Sequence, residues 1–147
     1  MSHLHRKPDK DPHRAGGWFV YWGDVRVGHI AKRAGIPNHT PQWGWSCGFY
    51  PGCEPGQSTT GTAESFEEAR AGFERDWEKL LATRTEEHFE EWRRSRDFHA
   101  WKDKMHEEKL FLPTQTRGAP ARCFCGEFIT IASQDEHIHC AHRGIGA

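Results

Sequence analysis

The 147-residue sequence has no long apolar run, no excess of basic charge and no phosphate-binding loop. No stretch approaches the ~20 apolar residues that cross a membrane, and residues 1–7 lack the apolar segment of a signal peptide. We therefore expect a cytoplasmic protein that does not enter the membrane. A formal net charge of −1 argues against nucleic-acid binding through bulk electrostatics, since proteins that bind this way usually display a clearly basic face.

Apolar area is concentrated in seven tryptophans and nine phenylalanines, which supply a core for an otherwise polar chain. Two runs rich in β-forming residues, 18–22 and 25–31, flank a Gly-Asp turn, and a third run covers 42–49. Ser65 and Glu68 then form a capping-box pattern ahead of a helical apolar stripe. The sequence predicts an α+β fold in which a helix packs on a three-stranded antiparallel sheet, followed by one or two further helices and a small zinc-stabilised ββα tail.

The run 42–49 places aromatic residues on one face and glycine or serine on the other. Such a bare face can seat a helix, or it can join exposed aromatics in a surface on which nucleic-acid bases stack. An aromatic stripe at strand spacing is usually core, so we favour a bare face that seats a helix or marks strong local twist over a base-stacking surface.

Changes in composition predict the domain organisation. The segments are a mobile basic arm (1–16), a β3-α module (17–82), a helical extension (83–112), a linker (113–121) and a zinc-binding tail (122–147).

The helical extension opens with a second capping pattern, Thr83 with Glu86. Its apolar residues change sides, because Phe98, Trp101 and Met105 lie on nearly the opposite side of a continuous helix from Phe89 and Trp92. The helix therefore either breaks near Ser95 or contacts two separate apolar partners.

Six potential ligands for a zinc ion lie in the last quarter of the chain. They are Cys123, Cys125, His137, His139, Cys140 and His142. Cysteines clustered with histidines in a reducing compartment favour a metal site over disulfides, whereas Cys47 is expected to be an ordinary buried residue. A Cys-x-Cys turn closed by Gly126 supplies one half of the site, and the histidine-rich segment supplies the other.

The histidine-rich segment is expected to be a short helix, because Ser133 and Glu136 form a third capping pattern. His142 lies one turn beyond Ile138, which should pack on Phe128 and Ile131. The second helical ligand is left open among His137, His139 and Cys140, with His137 preferred. The predicted zinc ligands are Cys123, Cys125, His137 and His142.

This turn and helix, about residues 122–144, resemble a shortened Cys2His2 zinc finger, with one residue between the cysteines. The resemblance implies a ββα unit held by a structural zinc ion. A full set of four protein ligands leaves no open position for a substrate, which favours a structural over a catalytic site. The remainder of the chain resembles small bacterial proteins without an assigned activity, and implies none.

Three classes of function remain. The preferred one is a non-enzymatic adaptor or regulatory protein whose partner is another protein. The alternative is an accessory protein that contacts DNA or RNA through the basic arm and the zinc finger; three strands followed by a helix faintly resemble the DNA-binding AP2 and integrase-arm domains. The least favoured is a metal-dependent hydrolase, supported only by Glu136 beside His137.

Overall fold

The computed structural model describes residues 4–13, 16–117 and 119–147, and the chain divides after Trp92 into two compact units. In chain order the elements are β1 (Leu4–Pro8), β2 (Trp18–Trp22), β3 (Val25–Lys32), β4 (Trp43–Cys47), β5 (Thr59–Ala63), α1 (Phe66–Leu81), α2 (Glu86–Glu107), β6 (Ala121–Arg122), β7 (Phe128–Ile129) and α3 (Gln134–Ala141). Among the helices of the described residues, none combines the length and the apolarity required to cross a membrane.

The α+β class is confirmed, but the expected three-stranded sheet is wrong. The first unit contains a five-stranded antiparallel sheet in the order β1-β2-β3-β4-β5. The two unexpected strands are the edges: β1 is charged and ends in proline, and β5 consists mainly of threonine and glycine. Edge strands need no apolar alternation and tolerate such residues, so their sequence pattern was weak.

Strand β1 lies within the segment 1–16 that was expected to be a mobile arm. Leu4–Pro8 instead pair with Trp22–Trp18 of β2. The same expectation also covered residues 1–3, 14 and 15, which lie outside the described residues.

Helix α1 packs on one face of this sheet. The Ser65 hydroxyl accepts a hydrogen bond from the Glu68 backbone N–H at 3.2 Å, as the capping pattern predicts, while the Glu68 carboxylate accepts from the Glu64 N–H. Phe73 and Trp77 of the helix are almost completely buried. These two rings carry the core of the first unit.

The helix lies on the aromatic face of β4, not on the bare face as we expected. Trp45 packs against Gly72 of α1, where an added Cβ would overlap the indole ring, and its Nε1 donates to Asp76 Oδ2 at 2.8 Å. Gly44 and Ser46 pair with Thr62 and Thr60 in the alternate rows. The bare residues therefore belong to the face of the sheet opposite α1.

Helix α2 runs without a break from Glu86 to Glu107, so of the two alternatives left open by the sequence the break near Ser95 does not occur. Phe89 belongs to the core of the first unit, whereas Trp101 and Met105 are fully buried in the core of the second. Two separate cores explain why the apolar residues change sides along one continuous helix.

The second unit, residues 93–147, joins α2 to the hairpin β6-β7 and to α3. Pro113 begins a 3-10 turn and is buried, and Ala121 is 3% exposed, so parts of the expected linker 113–121 are packed. Gly118 of that linker lies outside the described residues. The Asp97 carboxylate, which is buried, accepts backbone hydrogen bonds from Gly144 at 2.9 Å and Gly146 at 3.1 Å.

Candidate metal centre

The two cysteines of the candidate centre lie in the tight turn between β6 and β7. The Cys123 N–H donates to the Glu127 carbonyl at 2.8 Å, and the Gly126 N–H donates to the Cys123 carbonyl at 2.8 Å. Gly126 has a φ of 98°, a conformation that favours glycine because it has no Cβ. The turn thus holds both sulfur atoms close together.

Helix α3 supplies the two histidines. His137 lies within the helix, and His142 is its C-cap residue, whose N–H donates to the Ile138 carbonyl at 2.9 Å. The expected capping box at the start of this helix does not form. The Ser133 hydroxyl instead accepts from the Thr130 N–H at 2.9 Å, in a local turn that competes with capping.

The ligand atoms of Cys123, Cys125, His137 and His142 all lie within 4.8 Å of one another. Cys123 Sγ is 3.4 Å from His142 Nε2, and Cys125 Sγ is 3.5 Å from His137 Nε2. A tetrahedral zinc ion with Zn–S of about 2.3 Å and Zn–N of about 2.0–2.1 Å separates sulfur from nitrogen by about 3.6 Å. These two sulfur–nitrogen distances therefore match a tetrahedral zinc ion, and all four ligand atoms lie close enough together to hold a metal ion.

The alternative helical ligands lie outside this group. Arg143 Nη1 donates to His139 Nε2 at 2.9 Å, which engages the nitrogen that His139 would offer to a metal. Cys140 is exposed and does not belong to the group. Among the three helical candidates left open by the sequence, the structure brings His137 to the cysteines.

The His137 ring is oriented by Glu127. His137 Nδ1 lies 3.1 Å from Glu127 Oε2, and the His137 side chain is 7% exposed. A carboxylate only accepts hydrogen bonds, so Nδ1 carries the proton and Nε2 presents its lone pair to the cluster. Carboxylate–histidine pairs of this kind are common around protein-bound metals, where they fix the tautomer of the ligand.

The environment of Cys123 is buried and contains one further donor. Trp101 Nε1 donates to Cys123 Sγ at 3.3 Å, and both residues are at most 1% exposed. Burial raises the pKa of the Cys123 thiol, while the Cys125 backbone N–H and the Trp101 N–H oppose that rise by stabilising the thiolate. A cation that replaces the thiol proton would offset the cost of burying this charge.

His142 is suited to bind a metal at neutral pH. Burial first, and then the electrostatic effect of the neighbouring His137, lower its pKa from the ordinary value against a smaller opposing effect of Glu127. The neutral imidazole is the form that ligates a metal.

The packing around Ile138 differs from the expectation. Ile138 is buried, but Phe128 and Ile131 are 67% and 64% exposed, and Ile129 fills the core in their place. Ile129 pairs with Ala121, and alternate residues of a strand point to opposite faces, so Phe128 points outward. The expectation had the wrong strand residue facing inward.

Sequence reasoning missed both Glu127 and Trp101. Glu127 had a local signal, because it is an acidic residue two positions beyond Cys125. Trp101 had none, since it lies 22 residues before Cys123 and only the folded chain joins them.

No protein-family model matches this chain, and no curated protein or solved structure is significantly similar to it.

Proposed function

We propose that this protein is a non-enzymatic, zinc-binding adaptor or regulatory protein, in which a structural zinc ion holds the C-terminal unit in its active shape. The observation that carries this proposal is the cluster of Cys123, Cys125, His137 and His142, whose ligand atoms lie within 4.8 Å of one another. Two sulfur and two nitrogen donors with tetrahedral spacing suit zinc better than magnesium or calcium, which prefer oxygen.

A structural role follows from the completeness of the ligand set. Catalytic zinc ions usually have three protein ligands and keep the fourth position for water or substrate, whereas structural ions have four. Of the two acidic residues beside the cluster, Glu127 and Glu136, Glu127 is already engaged with His137. This arrangement argues against the hydrolase alternative.

The metal would join two short elements, which otherwise share a buried core that includes Ile129 and Ile138. The hairpin strands β6 and β7 have two residues each, and α3 has eight. Zinc binding contributes on the order of 10 kcal/mol to the folding of small zinc-finger peptides. A zinc ion bridging the turn and the helix would therefore fix the position of α3.

The surface beside the cluster supports a role in protein contacts. Phe128 and Ile131 are 67% and 64% exposed, and the groove next to Phe128 includes the acidic residues Glu127 and Glu136. Exposed apolar side chains rimmed by charge are typical of protein-interaction sites. The zinc ion would hold this apolar surface in place.

Metal analysis of the purified full-length protein tests the zinc assignment. We expect about one equivalent of zinc in the wild type and in Cys140→Ser, and its loss in His142→Ala and Cys125→Ser. Cys140→Ser is a matched control because it removes an exposed thiol of the same helix outside the cluster. A full equivalent of zinc in both ligand variants would refute the proposed ligand set.

Affinity capture from a native lysate tests the adaptor role. Proteins bound by the wild type are compared with those bound by the double variant Phe128→Ser and Ile131→Ser, using Phe111→Ser as the control. Phe111 is 70% exposed and does not line the groove. We expect the double variant, with its zinc retained, to lose specific partners that the control keeps; identical bound sets would contradict the role of this surface.

A further inference from the structure

The face of the sheet opposite α1 is a continuous outer surface, which we call the outer sheet face. Its rows follow from the strand register: Phe19 pairs with Lys7 on one side and His29 on the other, and Tyr21 pairs with His5 and Arg26. The register then extends this face across β4 and β5. The outward strand residues are His5, Lys7, Phe19, Tyr21, Arg26, His29, Ala31, Gly44, Ser46, Thr60 and Thr62.

This face is positively charged although the whole chain is nearly neutral. Lys7 and Arg26 are exposed, and Arg33 joins them because its side chain lies over Gly44. Among the outward strand residues that the structure describes, none is acidic. The nearby carboxylate of Asp9 is 2% exposed and lies 3.0 Å from His29 Nε2, so little of its negative charge faces solvent.

Two aromatic rings lie among these cations. Lys7 Nζ is 4.6 Å from the centroid of Tyr21, and Arg26 Cζ is 4.6 Å from the centroid of Phe19. The His5 ring stacks on Tyr21 with a centroid separation of 5.6 Å and an interplanar angle of 14°. Both rings are half-buried, under exposed cationic side chains and, for Phe19, beside the His29 ring at a centroid separation of 4.9 Å.

The outward residues of β4 and β5 are small, and most of them are polar. Gly44 has no side chain, and Ser46, Thr60 and Thr62 carry only small hydroxyl groups and are exposed. Past Arg26 and His29 of β3 and the Arg33 side chain over Gly44, the outward residues toward β5 are small. Hydroxyl groups there could donate to phosphate or sugar oxygens.

We propose that the outer sheet face binds single-stranded nucleic acid, with unpaired bases stacked on Phe19 and Tyr21 and phosphates bound by Lys7, Arg26 and Arg33. Residues two apart on a strand are separated by about 6.6 Å, so the two rings can take successive bases of an extended strand. An exposed cation–π contact is weaker than stacking of a base. An incoming base therefore displaces the cation from the ring, and the freed cation binds the adjacent phosphate.

This inference goes beyond the proposed adaptor function and does not depend on it. The outer sheet face belongs to the first unit, whereas the candidate zinc ligands belong to the second. Loss of zinc and loss of nucleic-acid binding are therefore measured separately on the same protein.

Fluorescence anisotropy with a labelled oligothymidylate of about 12 nucleotides tests the proposal. The zinc-loaded full-length protein is titrated at several salt concentrations between about 50 and 200 mM, because phosphate contacts give a linear dependence of log K on log salt. A duplex of the same length and poly-glutamate serve as competitors.

Charge variants of the outer face should reduce the salt dependence of binding. Each phosphate contact to a single strand contributes a slope of about −0.7, so the double variant Lys7→Gln and Arg26→Gln should lower its magnitude by about 1.4. Lys79→Gln is the matched control, because Lys79 is exposed on α1, the helix of the opposite face. It should leave the slope unchanged.

Stacking is tested by Tyr21→Leu, which keeps an apolar side chain but removes the ring. We expect about tenfold weaker binding with unchanged far-ultraviolet circular dichroism. Phe19→Leu provides a second variant should Tyr21→Leu unfold, and the same loss is expected. The single strand must also bind more tightly than the duplex, and poly-glutamate of equal charge must not displace it from the protein.

Three results would overturn the proposal. The first is absence of binding at the lowest salt, and the second is an equal change of the salt slope in the outer-face and Lys79 variants. The third is a competitor, either the duplex or poly-glutamate, that binds as tightly as the single strand or more tightly, which would show attraction to a polyanion without recognition of unpaired bases.

Discussion

Replacing Trp101 by phenylalanine tests how the metal centre is supported, because it removes one hydrogen bond while keeping an aromatic ring in the core. Trp101 Nε1 donates to Cys123 Sγ at 3.3 Å in a buried environment. Hydrogen bonds to charged groups contribute about 1.5–3 kcal/mol, and loss of a residue that supports a ligand usually weakens metal binding about 10- to 100-fold. We therefore expect zinc affinity to fall about 10- to 100-fold, equivalent to about 1.4–2.7 kcal/mol.

The chain contains a matched control for this substitution. Trp77 is 1% exposed, and among the described residues its Nε1 has no hydrogen-bond partner. Trp77→Phe removes the same atoms from a buried site in the first unit, far in sequence from the candidate ligands. Both variants lose packing, but only Trp101→Phe removes a hydrogen bond to sulfur.

Zinc affinity is measured by competition with a chromophoric chelator at fixed pH, and each variant is also melted without zinc. A loss of packing alone would lower thermal stability in both variants and leave zinc affinity unchanged. Unchanged zinc affinity in a folded Trp101→Phe protein would refute the claim that this N–H stabilises the bound thiolate.

Three further predictions use other groups. Alkylation followed by mass spectrometry should modify Cys140 in the zinc-loaded protein and add Cys125 only after chelation; protection of Cys140 before chelation would contradict the ligand set. Burial alone would raise the pKa of Asp97, but hydrogen bonds from the Arg96 side chain and from two backbone N–H groups outweigh it and lower the pKa. The ionised carboxylate therefore stabilises the folded protein fully above the pKa that Asp97 has in the unfolded chain, and this stabilisation is lost as pH falls below about 4. Asp97→Asn should flatten that part of the pH profile of unfolding free energy, and a profile identical to the wild type would exclude the effect. Gly28→Ala should destabilise the first unit by about 1–3 kcal/mol in urea unfolding, because a Cβ would overlap the Phe73 ring; an unchanged midpoint would show that the site relaxes.

Local patterns in the sequence were sufficient for the parts of the fold that depend on near neighbours. Helix α1 follows its capping serine and apolar stripe, and Cys123, Cys125 and His142 follow from the Cys-x-Cys turn and the short helix, whereas His137 was only the preferred choice among three helical candidates. In each case the information lies within one turn or one helix.

Features that depend on distant partners could not be predicted in this way. Strand β1 forms because Leu4–Pro8 meet β2, although their own sequence is charged and contains proline. Trp101 reaches Cys123 only through the folded chain. The inward position of Ile129 depends on its pairing with Ala121, and a shift of one residue exchanges the two faces of a strand.

The sequence could not decide between a break at Ser95 and two apolar partners of one helix for a related reason. The apolar residues of α2 change sides because Phe89 belongs to one core and Trp101 to another. A single helix that contributes to two cores has no single apolar stripe, so its periodicity resembles that of two helices.

X-ray absorption spectroscopy at the zinc edge tests the central claim most directly, because it reports the atoms bound to the metal in the intact protein. The account predicts two sulfur atoms at about 2.3 Å and two nitrogen atoms at about 2.0–2.1 Å, both in the wild type and in Cys140→Ser. Water oxygen bound to the zinc ion, or a sulfur lost from the spectrum of Cys140→Ser, would contradict a closed structural site built from Cys123, Cys125, His137 and His142.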